Sequence, residues 1–162
     1  MQKNFLLRSS YKKVSEEYRR VLKEFQEEIP KQIGDAYDSG GQWHDNPAYD
    51  AALERQSNLA SQLKALSDFL KSPVFIEDLE ISLDGVRVGV EVEISEEDGK
   101  TSSFKILGPA DVKFHPGVMS CYSPLAQQLM SHKVGEIIEC RLPKGVKKFR
   151  IIKISKIALK SM

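Results

Sequence analysis

The residues with the most distinctive chemistry lie in an acidic stretch, GDAYDSGGQWHDNPAYD, at residues 34–50. Residues 32–54 include no lysine or arginine but five acids: Asp35, Asp38, Asp45, Asp50 and Glu54. An acid near a helix start is favoured by the helix dipole, which explains Asp45 and Asp50. Asp35 and Asp38 fall in the last turns of the preceding predicted helix, where negative charge opposes the dipole. We therefore expect this acidity to serve a partner outside the segment.

Two segments with a helical period flank the acidic stretch. Upstream, residues recur at intervals of four, three, four and four: Val14, Tyr18, Val21, Phe25 and Ile29. Downstream, the intervals alternate between three and four: Tyr49, Ala52, Gln56, Leu59, Leu63, Leu66 and Leu70. This heptad spacing, interrupted by one polar residue at Gln56, is typical of helices that pack along a shared seam. We predict an antiparallel helical hairpin, a short coiled coil, over residues 1–73 with its tip at 38–46.

Local signals mark the ends of both predicted arms. Gly40-Gly41 ends the first arm, because glycine commonly follows a helix C-terminus. The second arm starts at Asn46-Pro47, with Asn46 as the N-cap and Pro47 at the first helical position. It ends at Ser72-Pro73, because proline cannot continue a helix.

After residue 73 the pattern changes from helical to strand-like. Four segments predict strands: VRVGVEVEIS (86–95), SSFKILG (102–108), GEIIECRLP (135–143) and KKFRIIKIS (147–155). Between them, SPLAQQLMS (123–131) predicts a short helix with Ser123 as its N-cap. The predicted fold class is α+β, in which the helical hairpin precedes a small antiparallel sheet domain over residues 74–162 with one short helix.

The composition restricts the class of protein. The 162 residues are 41% apolar and 29% charged, with a net charge of +1, which excludes bulk attraction to nucleic acid or to an anionic membrane. No apolar run approaches the roughly 20 residues of a membrane span, so we expect a cytoplasmic protein with no membrane partner. Cys121 and Cys140 form no CxxC pair, and the three histidines have no zinc spacing, so we expect buried, reduced cysteines.

Three blocks of the chain resemble one known family, the bacterial Gre transcript-cleavage factors (GreA and GreB). The blocks are YKKVSEEYRRVL (11–22), GQWHDNPAYDAALERQ (41–56) and the segment from ILGP to IIKI (106–154), which carries S-P-L-A and K-V-G-E. The resemblance implies an FKBP-like sheet domain that docks on the rim of the secondary channel of bacterial RNA polymerase. It implies a hairpin that reaches through this channel to the polymerase active site.

The resemblance also implies how such a protein works. It is a protein factor rather than an enzyme, because the polymerase's own active site cleaves the backtracked RNA. Contact with the RNA 3′ end is indirect, and we expect the factor to be a monomer.

The resemblance assigns roles at the tip. Family members carry the pattern Gly-Asp-Leu-x-Glu-Asn-Ala-x-Tyr, whose two acids help to hold a second Mg²⁺ and position a water. Here Gln42 stands at the first acid, Asp45 replaces the glutamate and Trp43 replaces the leucine. We assign Asp45, Gln42 and Asp38 as the catalytic positions; Asp38 matches no family acid and is assigned on the hypothesis that it faces Asp45 across the loop and replaces the lost acid. Asp45 and Asp38 would hold Mg²⁺ jointly with the polymerase, because Mg²⁺ takes hard oxygen ligands.

Five further tip residues are assigned as contacts at the polymerase active site: Gly41, Trp43, His44, Asn46 and Tyr49. Trp43 has two interpretations, since it either packs on Tyr37 within the loop or projects to stack on an RNA base or wedge against a mobile polymerase element. His44 suits a solvated loop residue better than a general base.

Docking on the polymerase is assigned to the start of the short helix, at Tyr122, Ser123, Pro124 and Leu125. Tyr122 stands where family members often carry Asp or Asn. This departure is expected to change the docking affinity.

Several functions remain open. The chain either promotes RNA cleavage in arrested complexes or occupies the channel as a competitor, as some relatives with acid-rich tips do. Gln42 favours the competitor, because a neutral amide removes one negative charge from a metal site. An FKBP-like peptidyl-prolyl isomerase would need an aromatic-lined pocket, whereas the aromatic residues of this domain, Phe104, Phe114, Tyr122 and Phe149, are scattered. A coiled-coil adaptor would give the tip sequence no role.

Overall fold

The computed structural model of this protein describes residues 3–39 and 46–158. The chain forms two compact units. One takes in Tyr11–Lys71, and the other combines the N-terminal segment up to Ser10 with the residues from Ser72 onward. The sequence-based division at residue 73 places the first ten residues with the hairpin, whereas the structure groups them with the sheet because they begin with a strand of that unit.

Two helical arms form the hairpin, as predicted. The first arm consists of α1 (Arg8–Lys23), a π-helical turn (Glu24–Glu28) and α2 (Ile29–Ser39), which follow one another without interruption. The second arm is α3 (Pro47–Leu70). Its start after Asn46 and its end before Ser72-Pro73 confirm the predicted boundaries of this arm.

The arms bury every second residue of the predicted seam and leave the residues between them half-buried. In α3 the buried positions Ala52, Leu59 and Leu66 recur every seven residues. Those of the first arm are spaced seven, eight and seven: Val14, Val21, Ile29 and Ala36. The π-helical turn lies within the eight-residue interval, where the Ile29 N–H donates to the Glu24 carbonyl oxygen five residues back. This wider turn accommodates the extra residue and keeps the buried positions of the first arm on one face.

The second unit contains a two-stranded and a five-stranded sheet. Strand β1 (Asn4–Leu6) pairs in parallel with β2 (Pro73–Phe75), and a 3₁₀ turn (Ile76–Asp78) follows. The larger sheet has the strand order β5-β4-β3-β7-β6. Its strands are β3 (Val90–Glu96), β4 (Thr101–Leu107), β5 (Val118–Ser120), β6 (Ile137–Leu142) and β7 (Gly145–Lys156). Within the five-stranded sheet, all pairings are antiparallel except that of β4 with β5. The predicted antiparallel sheet therefore has a parallel edge strand, β5.

The structure corrects several details of the sequence prediction. Strand β3 starts at Val90 rather than at residue 86, because Gly89 adopts a φ of +92° and turns the chain. Val90, Val92 and Ile94 are nevertheless buried on one face, as their alternation predicts. The sheet unit contains two short helices instead of one, α4 (Asp111–Phe114) and the predicted α5 (Pro124–Leu129).

The larger of the two buried clusters of the second unit lies on one face of the five-stranded sheet. Its buried residues come from the inward positions of β3, β6 and β7 and from α5, and they include both cysteines. Cys121 and Cys140 are free thiols, as expected, and burial raises the pKa of Cys121 to about 11. No helix in the part of the chain that the structure describes has the length and apolar character needed to cross a membrane.

A buried carboxylate fixes the N-terminal segment to the sheet unit. Asp111, at the start of α4, accepts hydrogen bonds from the Leu7 N–H at 3.1 Å and the Gly108 N–H at 3.0 Å. Burial raises the pKa of Asp111, while hydrogen bonds from Ser10, Leu7 and Gly108 and the charge of His115 oppose this rise. The Leu7 N–H lies at the start of helix α1, where backbone N–H groups have no partner within the helix. Its acceptor, Asp111, lies about a hundred residues later in the sequence.

Two further contacts complete this attachment. The Arg8 N–H donates to Glu77 Oε1 at 2.8 Å, and the Arg8 guanidinium binds both carboxylate oxygens of Asp78. The backbone of the N-terminal segment passes very close to Gly108, where an added Cβ would lie 1.6 Å from the Phe5 carbonyl oxygen. Only glycine therefore fits at position 108.

Replacing Asp111 with asparagine should destabilise this unit. In Asp111→Asn one of the two backbone N–H groups would face an amide NH₂ instead of an oxygen. We expect the free energy of unfolding to fall by about 1–3 kcal/mol, as for other buried hydrogen-bonding groups that lose their partner. Urea denaturation followed by circular dichroism measures the change. The control is Asp98→Asn in the exposed turn between β3 and β4, where an amide oxygen still accepts from the Lys100 N–H; equal losses in both variants would contradict the assignment.

Candidate functional site at the end of the helical hairpin

The acidic end of the hairpin is defined here as the last turns of α2 and the first turns of α3. Its described part runs up to Ser39 and resumes at Asn46. Five of the assigned tip residues lie outside the described residues: Gly41, Gln42, Trp43, His44 and Asp45. Their roles, including the packing of Trp43 on Tyr37, remain predictions.

Asn46 connects the two arms at the acidic end. Its Oδ1 accepts a hydrogen bond from the Tyr49 N–H at 3.2 Å, which is the predicted N-cap interaction. Its Nδ2 donates to the Ala36 carbonyl oxygen at 2.7 Å, in the last turn of α2. One amide side chain thus binds a backbone group of each arm.

Three described acids lie on the ends that Asn46 connects, and all three are exposed. Asp50 lies in the first turn of α3, where the helix dipole favours negative charge. Asp35 and Asp38 lie near the end of α2, whose last turn contains no basic residue. Their charges therefore oppose the α2 dipole without local compensation, as the sequence predicts. This is the arrangement expected of charges that act on something outside the hairpin.

A groove of about 440 Å³ lies beside the same junction. It is lined by Gln32, Asp35, Ala36, Ala48, Ala51 and Ala52. The small alanine side chains leave space between the arms, and Asp35 contributes a charge at its edge. Nearby in α2, the ring of Tyr37 is 66% exposed, so a large aromatic surface is available to a partner at this end.

The described residues alone do not form a metal site. Within 3–39 and 46–158, no group of three or more His, Cys, Asp or Glu side chains could hold a metal ion. Asp38, the described member of the assigned pair, is an exposed carboxylate. A hard cation bound at Asp38 would need further oxygen ligands from residues 40–45 or from a partner.

The assigned docking residues lie at the start of α5. Ser123 Oγ accepts from the Ala126 N–H at 3.2 Å, which confirms the predicted N-cap, and Pro124 is exposed. Leu125 packs partly against the core. The Tyr122 hydroxyl donates to the Lys3 carbonyl oxygen, and burial raises the pKa of Tyr122. Tyr122 thus has a structural contact within its own unit, whereas Pro124 faces solvent.

Two family models match the chain in succession. The model described as "Transcription elongation factor, N-terminal" matches residues 4–73, and the one described as "Transcription elongation factor, GreA/GreB, C-term" matches residues 81–156. The chain belongs to the GreA/GreB family of transcription elongation factors. The resemblance stated from the sequence is therefore confirmed.

Individual GreA proteins align with this GreA/GreB chain over almost their whole length. Transcription elongation factor GreA of Thermotoga neapolitana is 30% identical, over 96% of this chain and 99% of that protein. GreA of Thermotoga maritima is 31% identical, over 95% of this chain and 98% of that protein. Among solved structures, GreA factor homolog 1 (Gfh1) of Thermus thermophilus aligns over 92% of this chain and 96% of that one, with 24% identity and a TM-score of 0.41.

The sequence identified Asn46 in this GreA/GreB-family hairpin but missed its second partner. The Ala36 carbonyl lies ten residues upstream, across the tip, and backbone acceptors leave no mark on a sequence. The choice of Asn as the capping residue was the one available signal. Ser, Thr and Asp also cap helices, but only Asn has a side-chain amide, which can accept one hydrogen bond for the cap and donate another to a second partner.

The unfavourable charge at Asp38 can be tested by stability. Asp38→Lys replaces a charge that opposes the α2 dipole with one that favours it, and should stabilise the hairpin by about 0.3–1 kcal/mol at low salt. Thermal unfolding followed by circular dichroism at 222 nm, with and without added salt, measures the gain. The control is Glu54→Lys, two turns into α3, where the dipole effect has fallen away. A destabilised Asp38→Lys variant would show that Asp38 has a local structural role.

Proposed function

We propose that this GreA/GreB-family chain acts on bacterial RNA polymerase by inserting its helical hairpin into the secondary channel. The acidic end then meets the polymerase active site and modulates backtracked or arrested complexes. The observation that carries this proposal is the pair of exposed acids, Asp35 and Asp38, placed against the dipole at the end of α2. Its relatives are named transcription elongation factors, which supports a partner in the transcription machinery.

The dimensions of the hairpin suit such a reach. Helix α3 has 24 residues, which at 1.5 Å per residue gives a length of about 36 Å. The seam of buried side chains runs along both arms and makes them a rigid support. The acidic end would therefore lie about one arm's length from the opposite end of the hairpin. On the sheet domain, Pro124 is the exposed candidate docking contact.

In this proposal Mg²⁺ is shared between the two proteins. Asp38 and the tip residue Asp45 would contribute oxygen ligands, and the polymerase would contribute the rest. The ion would neutralise charge at the attacking and leaving oxygens of phosphodiester hydrolysis. The chain itself would then be a monomeric factor without catalytic turnover of its own, and its contact with the RNA 3′ end would be indirect.

Whether the chain stimulates transcript cleavage or only competes for the channel depends on the acids at the tip. If Asp38 takes the place of the acid absent at Gln42, the chain stimulates transcript cleavage. If it does not, the chain occupies the channel without stimulating cleavage and competes with factors that do. The exposure of Asp38 supports the first outcome, and the neutral side chain at position 42 supports the second.

The isomerase alternative receives no support from the cavity that the structure describes in the sheet unit. A cavity of about 630 Å³ is lined by Ser95, Glu96, Glu97, Gly99, Ile137, Lys148, Phe149 and Arg150. Phe149 is its one aromatic lining residue and is itself buried in the core. A prolyl-peptide pocket would be expected to be predominantly apolar and aromatic, whereas half of this lining is charged.

A purified backtracked polymerase complex tests the proposed function. The chain is added with Mg²⁺, and transcript length and elongation rate are followed. Shortened transcripts indicate stimulated cleavage, whereas intact transcripts with slowed elongation or blocked rescue by a standard cleavage factor indicate competition. Absence of binding to the polymerase would overturn both forms of the proposal.

Two substitutions then separate the roles of the acids. If Asp38 holds the shared ion, Asp38→Asn should abolish the Mg²⁺-dependent effect, whereas Asp68→Asn, far from the acidic end in α3, should leave it intact. Gln42→Asp should raise the cleavage rate on the order of tenfold, because it adds the missing charge at the ion. Unchanged activity in Asp38→Asn would remove Asp38 from the mechanism.

A further inference from the structure

The side chain of Gln128 makes three hydrogen bonds, which connect helix α5 to strand β6. Its Nε2 donates to the Pro124 carbonyl oxygen at 2.9 Å and to the Arg141 carbonyl oxygen at 3.0 Å, so both N–H groups of the amide are engaged. Its Oε1 accepts from the Arg141 N–H at 2.7 Å. One amide therefore binds the first residue of α5 and both backbone groups of a residue in β6.

The two bonds to Arg141 resemble those of a neighbouring strand. In an antiparallel sheet, two residues that face each other exchange both N–H···O=C bonds. Strand β6 ends the strand order of its sheet, and among the described residues it pairs with β7 alone. Gln128 thus protects the outer edge of β6 at Arg141 from pairing with another chain. This protection does not require the third bond, which goes to Pro124.

Helix α5 depends on side-chain contacts for its position. With six residues it is too short to be stable by itself. Ala126 and Leu129 bury one side of it in the core. Gln127 Nε2 donates to the Cys121 carbonyl oxygen, just before the assigned docking residues. Gln128 adds the connection to β6, so the start of α5 is held by the sheet as well as by its own turn.

The bond to Pro124 acts on the exposed candidate docking contact. Pro124 is exposed at the start of α5, and its ring includes the backbone nitrogen, so the backbone sets where the ring lies. The Gln128 amide binds that backbone at the Pro124 carbonyl and, through the same nitrogen atom, binds the backbone of β6. A contact that is already held in place loses less conformational entropy when a partner binds.

We propose that Gln128 is a positioning residue for docking, because its amide holds Pro124 in a fixed place beside Arg141 of β6. The inference rests on the proposed action at RNA polymerase, in which the sheet domain provides the docking surface. It concerns how tightly the factor binds, whereas the acidic end of the hairpin determines what the bound factor does. Loss of the Gln128 bonds therefore weakens docking and leaves the effect of the bound factor unchanged.

Two substitutions remove these bonds in different ways. Gln128→Met has a side chain of similar length and similar helix propensity but no amide. Gln128→Glu retains an acceptor for the Arg141 N–H, while its ionised carboxylate has no donor for the Pro124 and Arg141 carbonyls. Ile94→Val is the control, because it removes a buried methylene from β3 and destabilises the same unit without removing a hydrogen bond of α5.

The full-length variants are titrated against a backtracked RNA polymerase complex with Mg²⁺. Binding of fluorescently labelled factor gives the half-saturating concentration, and transcript analysis at saturation gives the plateau, as cleavage rate or depth of inhibition. For both Gln128 variants we expect the half-saturating concentration to rise on the order of tenfold, with plateaus within about twofold of the unaltered chain. Ile94→Val should leave both quantities within about twofold. Hydrogen exchange at the Arg141 amide should become fast in Gln128→Met and remain slow in Gln128→Glu.

The results distinguish this inference from the proposed function. Unchanged half-saturating concentrations in both Gln128 variants would overturn the inference and leave the proposed function standing, because Gln128 would then only protect the edge of β6. An equal rise in Ile94→Val would also overturn it, since a general loss of stability would explain the weaker docking. A reduced plateau with an unchanged half-saturating concentration would contradict it as well, because that pattern belongs to a step after docking. An unaltered chain that does not bind the polymerase would overturn the proposed function and the inference together.

Discussion

The continuity of one buried seam is the constraint on which the hairpin depends. Each arm presents an apolar side chain about every seven residues, and the arms stay packed only while these positions stay in phase. The first arm breaks that rule once, with eight residues between Val21 and Ile29. The π-helical turn takes up the additional residue, so α2 continues with its apolar face still towards α3. Without this adjustment, Asp35, Ala36 and Asp38 would rotate by about 100° around the helix.

The first arm, from the π-helical turn to the end of α2, contains features that do not favour helix stability. Pro30, which lacks an N–H, comes two residues after the end of the π-helical turn, so the irregular hydrogen bonding and the proline fall in the same part of the helix. Arg55 of α3 binds Glu24 of this turn at 2.6 Å, which adds a polar contact between the arms. Beyond it, the end of α2 carries Asp35 and Asp38 against the dipole. The hairpin is thus regular and well packed along its length and electrostatically unfavourable at its end, a distribution typical of a site that meets a partner.

The sequence predicted those parts of the structure that depend on neighbouring residues. Heptad spacing predicted the arms, Asn46-Pro47 predicted the start of α3, and Ser123-Pro124 predicted the start of α5. The missed features depend on residues far apart in the chain. Strand β1 exists because it pairs with β2 some seventy residues later, β5 is only three residues long, and the acceptor for the Leu7 N–H is Asp111. No local pattern marks such partners, because they are selected by the folded arrangement.

In the candidate site, too, the sequence predicted the local features and missed a contact between distant residues. Its residue types and charges were readable from the sequence, and the structure places Asp35, Asp38 and Asp50 as exposed charges on the ends of the two arms. The amide bridge from Asn46 to Ala36 was not readable, because it joins a side chain to a backbone carbonyl across the tip. Tyr122 was assigned a role from the sequence, but the structure shows a different contact for it. The family resemblance assigns it to docking, whereas the structure shows a contact with the Lys3 carbonyl that the sequence did not suggest.

The close approach at Gly108 has a consequence for how the chain assembles during synthesis. Phe5 and Leu7 leave the ribosome before the hairpin, whereas their partners at Gly108 and Asp111 emerge only after it. The arms are joined by a short connection and can close early, since contacts between nearby residues cost little chain entropy. The N-terminal segment must wait for some hundred residues before it can pack. A segment made before the hairpin therefore packs only after it, and until then its apolar residues remain accessible to chaperones.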